Sequence, residues 1–165
     1  IERMLGGLKN PVVRAMPNLA VTVRAGFVAW SPGKTAHGKE RLVRRLFSPV
    51  GTVLAVPETK MDAVTALSGS GPGYLFYLAE IIEDVCRAKG FAAGTARAVS
   101  SLLLIGAGRM LAASDEPARA LKERVCSKGG TTLAGLSVME ERDLAGIVRA
   151  AVDAAERRSR ELSRG

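Results

Sequence analysis

From Lys60 to the C-terminus, apolar positions recur at every third or fourth residue, the period of helices that bury one face. Leu75, Leu78, Ala79, Ile82, Val85 and Cys86 predict a helix over Tyr74 to Lys89, with Pro72 in its first turn and Gly90 as its stop. Thr95 is the expected cap of a second helix reaching about Ala113, on which Val99, Leu102, Leu103, Gly106 and Met110 share a face. A third starts at Ser114-Asp115-Glu116-Pro117 and runs to Val125, and a short fourth covers Leu133 to Glu141. A fifth, Leu144 to Leu162, carries one stripe of Leu144, Ile147, Val148, Ala151, Val152 and Ala155.

Before Lys60 the pattern shortens and alternates. Asn10-Pro11 ends the helical run Ile1 to Leu8, and Val12 to Met16 then predicts a strand closed by Pro17. Gly26 to Trp30 predicts a second strand, stopped by Ser31-Pro32-Gly33, and Thr52 to Val56 a third, stopped by Pro57. Between them Lys39 to Phe47 places Leu42, Val43 and Leu46 on one face among basic residues, an amphipathic surface helix. Three strands and a helix make a poor free-standing layer. The expected fold is therefore mostly α: about five helices over residues 60–165, preceded over residues 1–59 by an α/β remnant, the tail of a larger sheet.

Composition and charge narrow the function. Aromatic residues are only 4% of the chain and 47% is hydrophobic, which disfavours an aromatic-rich β-sandwich and excludes a disordered basic tail. The net charge of +8 lies almost wholly in the first 50 residues, with nine basic and two acidic side chains. Those cations are scattered and no aromatic is interleaved for base stacking, so no nucleic-acid partner is expected. Cys86 and Cys126 fall within helical patterns and fit reduced, packed thiols. No run approaches the 18–20 or so uncharged residues of a membrane span, and the start lacks a signal-peptide pattern. A soluble, cytoplasmic protein without a membrane partner is expected. The chain begins with Ile1 and with an uncapped apolar run, which suggests a fragment.

Conventional catalytic equipment is sparse. The single histidine, His37, sits in a Gly-flanked polar loop without an evident orienting acid, and Glu80, Glu83 and Asp84 read as the wet face of a helix, so no metal site is expected. Two glycine-rich segments remain. Ser68-Gly69-Ser70-Gly71-Pro72-Gly73 interrupts a helical pattern, either to admit a ligand or to let another helix approach. Ser127-Lys128-Gly129-Gly130-Thr131-Thr132 lies between two helices, either as an anion nest whose glycine N–H groups face a carboxylate or phosphate, or as a plain cap-to-cap connection.

Three stretches taken together carry a resemblance: Val13-Arg14-Ala15-Met16-Pro17-Asn18, then Met61 to Tyr74, then Ser127 to Leu136 with Met139-Glu140. In that order they resemble the pyrroline-5-carboxylate reductases over nearly the whole chain. The resemblance implies NADPH- or NADH-dependent reduction of 1-pyrroline-5-carboxylate to L-proline, with a Rossmann domain first and a helical, dimer-forming domain second. The Gly-rich strand-turn-helix that holds a dinucleotide pyrophosphate is missing from this sequence. The resemblance further implies that Ser127, Gly129, Gly130, Thr131 and Thr132 bind the substrate, with Thr132 as the catalytic hydroxyl at the imine nitrogen. It places Met16, Pro17 and Asn18 beside the nicotinamide, Ser70 and Gly71 toward the same cleft, and an acid that corresponds to Asp115. Lys128 departs from the family's usual proline, and Leu19-Ala20 from its usual Thr-Pro. The implied partners are a second copy, as a homodimer or higher homo-oligomer, and the small-molecule substrate. The alternative is a non-catalytic dimerisation or anion-binding module.

Overall fold

A parallel strand pair cannot be closed by a hairpin and needs a crossover, and the first third of the chain is built on one. In the computed structural model, which describes residues 11–36 and 38–163, the strands β1 (Val13–Pro17), β2 (Gly26–Pro32) and β3 (Gly51–Ala55) form one sheet in that order. β1 runs antiparallel to β2, with Ala15 opposite Trp30, and β2 runs parallel to β3, with Val28 beside Val53. The crossover is α1 (Glu40–Phe47). The helix expected over Ile1 to Leu8 and the loop position of His37 lie outside the described residues.

Alternation along β2 fills both faces of the sheet. Val28 and Trp30 join Val43 of α1 and Val53 of β3 in a buried cluster, with Val13, Ala15, Val21, Phe47 and Val50 packed around it. Burying each aliphatic side chain of this size is worth roughly 1.5–3 kcal/mol. Ala29 and Ser31 point the other way and are also buried. Gly26 and Gly51 open their strands side by side so closely that a Cβ on Gly51, whose φ is 153°, would lie 1.9 Å from Gly26 O. No other residue fits there.

The helices follow the sequence pattern closely, with two differences. The glycine-rich stretch after α2 (Met61–Val64) does interrupt the helix, at a bend on Ser70, but the chain stays wound up to that point. The chain passes through one π-helical turn, Thr65–Gly69, where Ser70 N–H donates to Thr65 O five residues back, and continues as α3 (Gly71–Ala88). Pro72 stands in the first turn of α3, where its missing N–H removes no helical hydrogen bond. α3 ends as expected at Gly90, whose φ is 88°. The second difference is at α4 (Ala93–Ala113), which begins before Thr95: the cap is Ala92, in an extended conformation and without a side-chain bond. Alanine, the best helix former, carries the helix past the threonine.

α5 (Ala118–Arg124), α6 (Thr131–Glu141) and α7 (Leu144–Leu162) complete the five main helices. α7 is opened by Asp143, whose Oδ1 accepts a bond from Gly146 N–H at 3.0 Å. Two compact units result, one comprising the residues up to Gly73 together with those from Ala150 onward, the other Tyr74–Arg149. In the first, Ser159 on α7 donates to Asp62 on α2 at 2.7 Å. In the second, Ser100 on α4 is fully buried and donates to Glu83 on α3 at 3.0 Å.

Burial differs sharply between the units. Among the described residues of Tyr74–Arg149, Ala96 and Ser100 alone are buried, while Phe76, Tyr77, Leu102 and Leu103 are each more than half exposed. These helices carry far more apolar surface than they cover for one another.

Candidate functional site

The segment between α5 and α6 is a tight turn followed directly by a helix. Gly130 N–H donates to Ser127 O at 2.9 Å, Gly129 has a φ of 70°, and Lys128 is not among the positive-φ residues. Those features define a type II turn with Lys128 in its second position and Gly129 in its third. Gly130 is the flanking residue of α6, which starts two positions earlier than Leu133 because the extended Gly130 (φ −76°, ψ 165°) already supplies the first helical acceptor, to Ala134 N–H at 3.2 Å.

The donors of this turn differ in one respect from a nest built on both glycines. Gly130 N–H is spent on closing the turn. The N–H groups left without an intrahelical acceptor belong to the first helical turn, at Thr131, Thr132 and Leu133, and no side chain caps them. With no acid in that turn, the N-terminal end of α6 keeps its full partial positive charge. The hydroxyls of Thr131 and Thr132 are exposed on the same turn. Ser127 packs against Gly130 so tightly that a Cβ there would meet Ser127 Oγ at 2.2 Å and Ser127 O at 3.1 Å. The turn is braced from both sides: Cys126 Sγ donates to Lys122 O at 3.2 Å, and Lys122 on α5 pairs with Glu140 on α6 at 3.4 Å. Lys128 and Asp115 are exposed and without an ion-pair partner among the described residues.

Met16, Pro17 and Asn18 lie together at the end of β1, in the other compact unit. Asn18 extends the ladder with its side chain: its N–H donates to Phe27 O at 3.2 Å, and its Oδ1 accepts from Phe27 N–H at 3.1 Å. The Met16 thioether meets the π-helical turn, where a Cβ on Gly69 would lie 2.6 Å from Met16 Cε. The structure thus joins Met16 to the Ser68–Gly73 segment. Two buried polar atoms have no protein partner among the described residues, Ser68 Oγ in this π-helical turn and Trp30 Nε1 in the core. Neither is legible from residue types, because orphaning depends on what packs around the atom.

A groove of about 500 Å³ lies elsewhere, between α3 and α4, and is lined by Phe76, Glu80, Glu83, Arg97, Ser100 and Leu104. It contains none of the site residues expected from the sequence, and its lining is mainly apolar helix surface.

A sheet with a βαβ crossover, continued by helices whose apolar faces stand open, defines a helical oligomerisation domain joined to the edge of an α/β domain. Residues 58–162 match the family described as pyrroline-5-carboxylate reductase dimerisation. The chain belongs to this family. It is 40% identical over 171 residues to the pyrroline-5-carboxylate reductase of Mycobacterium leprae, covering 93% of this chain and 58% of that protein. The Synechocystis enzyme of the same name is 38% identical over 170 residues, covering 99% and 62%. Among solved structures, the pyrroline-5-carboxylate reductase of Coxiella burnetii superposes with a TM-score of 0.92 at 32% identity, covering 98% of this chain and 60% of that one. The pyrroline carboxylate reductase of Plasmodium falciparum, solved with NADP bound, gives 0.87 at 30% identity, covering 96% and 64%. The chain therefore spans about six tenths of the length of these relatives.

Proposed function

We propose that this chain is the C-terminal part of a pyrroline-5-carboxylate reductase, which reduces 1-pyrroline-5-carboxylate to L-proline with NADPH or NADH as the last step of proline biosynthesis. The observation that carries this reading is the Ser127–Gly130 turn, which sets three unpaired N–H groups and two threonine hydroxyls at one helix N-terminus. Such an end holds a carboxylate without any cation. Thr132 then stands among the carboxylate donors, where its hydroxyl orients the imine nitrogen and its proton.

The scarcity of acids, bases and nucleophiles fits this reaction. A protonated imine is already electrophilic, and when bound a reduced nicotinamide supplies the hydride for its carbon. The protein's share is positioning. The end of β1 fits the cofactor's nicotinamide side, with Met16, Pro17 and Asn18 in one short stretch and an unpaired hydroxyl buried in the adjoining π-helical turn. The substrate would be held by Ser127, Gly129, Gly130, Thr131 and Thr132. We read residues 1–59 as the end of the cofactor domain and 60–165 as the dimerisation and substrate domain.

The exposed apolar faces and the family's dimerisation character support a homo-oligomer, with a second copy covering the helices. The test is proline formation by the natural gene product that contains this chain. Loss of turnover in Thr132→Ala with an unchanged oligomer supports the assignment. Full turnover in that variant would make the loop only a connection between helices, and no turnover in the parent would leave the competing reading, a non-catalytic dimerisation or anion-binding module.

A further inference from the structure

α3 and α4 are linked by residues 89–92 alone and therefore run antiparallel, side by side. They meet where the buried Ser100 donates to Glu83 at 3.0 Å. Around that contact lies the open groove of about 500 Å³, walled by Phe76 on α3 and by Leu104 and Ile105 on α4. Phe76 is 61% exposed and Ile105 48%. Gly108, one turn farther along α4, has open space where a Cβ would stand. An apolar face of this kind marks an interaction site.

Two charges on the groove decide what covers it. Glu80 on α3 and Arg97 on α4 both line it, and neither has an ion-pair partner among the described residues. Glu80 stands one turn before Glu83, and Arg97 one turn before Ser100. In antiparallel helices they therefore fall on opposite sides of the Ser100–Glu83 contact, roughly 9 Å apart along the axis at 1.5 Å per residue. Within one chain they stay unpaired. An acidic partner would match the guanidinium alone, and a basic partner the carboxylate alone. A second copy matches both, because in a two-fold contact residue i of one copy meets j of the other while j meets i. Glu83 takes no part, its carboxylate being held by Ser100.

Resting on the reading of the chain as a homo-oligomer, we propose that the α3–α4 groove seats the same face of a second copy, with Glu80 of each copy paired to Arg97 of the other. The family's dimerisation match spans both helices. The apolar walls supply the association, and the two charge pairs fix its register and exclude wrong partners.

The experiment follows the natural gene product through a dilution series by sedimentation velocity, with helicity and melting temperature as controls. Arg97→Glu and Glu80→Arg should each weaken self-association about hundredfold, the loss expected when two close charge pairs become two repulsions. An equimolar mixture of the two variants should associate like the parent, because it sets two cations on one copy against two carboxylates on the other. The double variant should recover as well, the pairs being merely exchanged. Ser101→Trp carries the test if a charge variant loses helicity: Ser101 is exposed in the groove, so the free chain accepts the indole while the second copy is blocked. Parent-like association in all three single variants would overturn the proposal and leave the groove to a different occupant. Weak association that neither the mixture nor the double variant restores would overturn it too, since the two charges would then not face each other. If the parent itself sediments as a single chain, the homo-oligomer reading falls and the proposal with it. An oligomeric parent with indifferent variants sinks the proposal alone.

Discussion

Replacing Lys128 by proline should stabilise the protein. In a type II turn the second position has φ near −60°, the value to which a proline ring is locked, and the third wants a positive φ, which Gly129 supplies at 70°. Lys128 N–H donates to no backbone acceptor, and its side chain has no ion-pair partner among the described residues, so the substitution removes no protein contact. Ser127, which must be extended before a proline, already lies outside α5. The gain is the conformational freedom that the unfolded chain no longer has, about 0.4–1 kcal/mol. For a chain of this length that corresponds to roughly 1–4 °C in melting temperature. Urea denaturation at fixed protein concentration, with the slope compared to confirm equal exposure on unfolding, measures it. Gly129→Ala is the companion, expected to cost about 1 kcal/mol for forcing a Cβ into the left-handed region. A destabilised Lys128→Pro protein would refute the turn assignment, and with it the placement of the free donors on α6. A gain for Lys128→Pro together with a neutral Gly129→Ala would refute the left-handed geometry at the third position.

Three other outcomes are expected. In the natural gene product, Thr132→Ala should lower kcat/KM at least tenfold with a melting temperature within about 2 °C of the parent, because losing a hydrogen bond made in the transition state costs more rate than stability. Gly130→Val should raise the KM for pyrroline-5-carboxylate, since its side chain must displace the Ser127 hydroxyl, now 2.2 Å from the Cβ position, and disturb the donors behind it; unchanged kinetics in both variants would make the loop a mere connection. The 165 residues alone should sediment at micromolar concentration as a dimer or larger, yet show no stoichiometric NADPH or NADH binding in a fluorescence titration, because the pyrophosphate-binding strand-turn-helix is not in this sequence; a single-chain mass or measurable turnover would contradict this.

What the sequence disclosed followed from local rules. β2 and α7 could be placed to within a residue or two because the apolar run Gly26 to Trp30, closed by Ser31-Pro32-Gly33, and the stripe from Leu144 are each unbroken, and Gly90 stops α3 where a left-handed residue was needed. The π-helical turn was not legible. The glycines and proline mark the interruption at Ser70, but nothing in them announces the π-helical turn before it, which packs Gly69 against Met16. The start of α4 lies two residues before Thr95, at Ala93, with Ala92 as an extended cap that has no side-chain bond to announce it. At the substrate loop the residue types announced a glycine-rich connection, but the choice of free donors did not follow from them, because it depends on which amide closes the turn. Ser68 is the extreme case, since nothing in its neighbours' identities says that its hydroxyl is shut away from every acceptor.

The second unit illustrates why composition alone misleads about partners. α4 has 21 residues and a mean hydropathy that by length and composition would allow a membrane span. Its chemistry argues for protein on that face. Arg97 and Arg109 sit twelve residues apart, about 18 Å along a helix axis, so both would fall within a hydrocarbon core of about 30 Å. Ser100, one turn from Arg97, is buried against Glu83 of α3, a polar pair between the two helices. The apolar residues still uncovered, Leu102 and Leu103 on α4 with Phe76 and Tyr77 on α3, are the ones a second copy would bury. An oligomer contact of that kind also accounts for the glycines at 106 and 108 on α4, where a Cβ would meet nothing within the protomer. Small residues there would let another helix backbone come close.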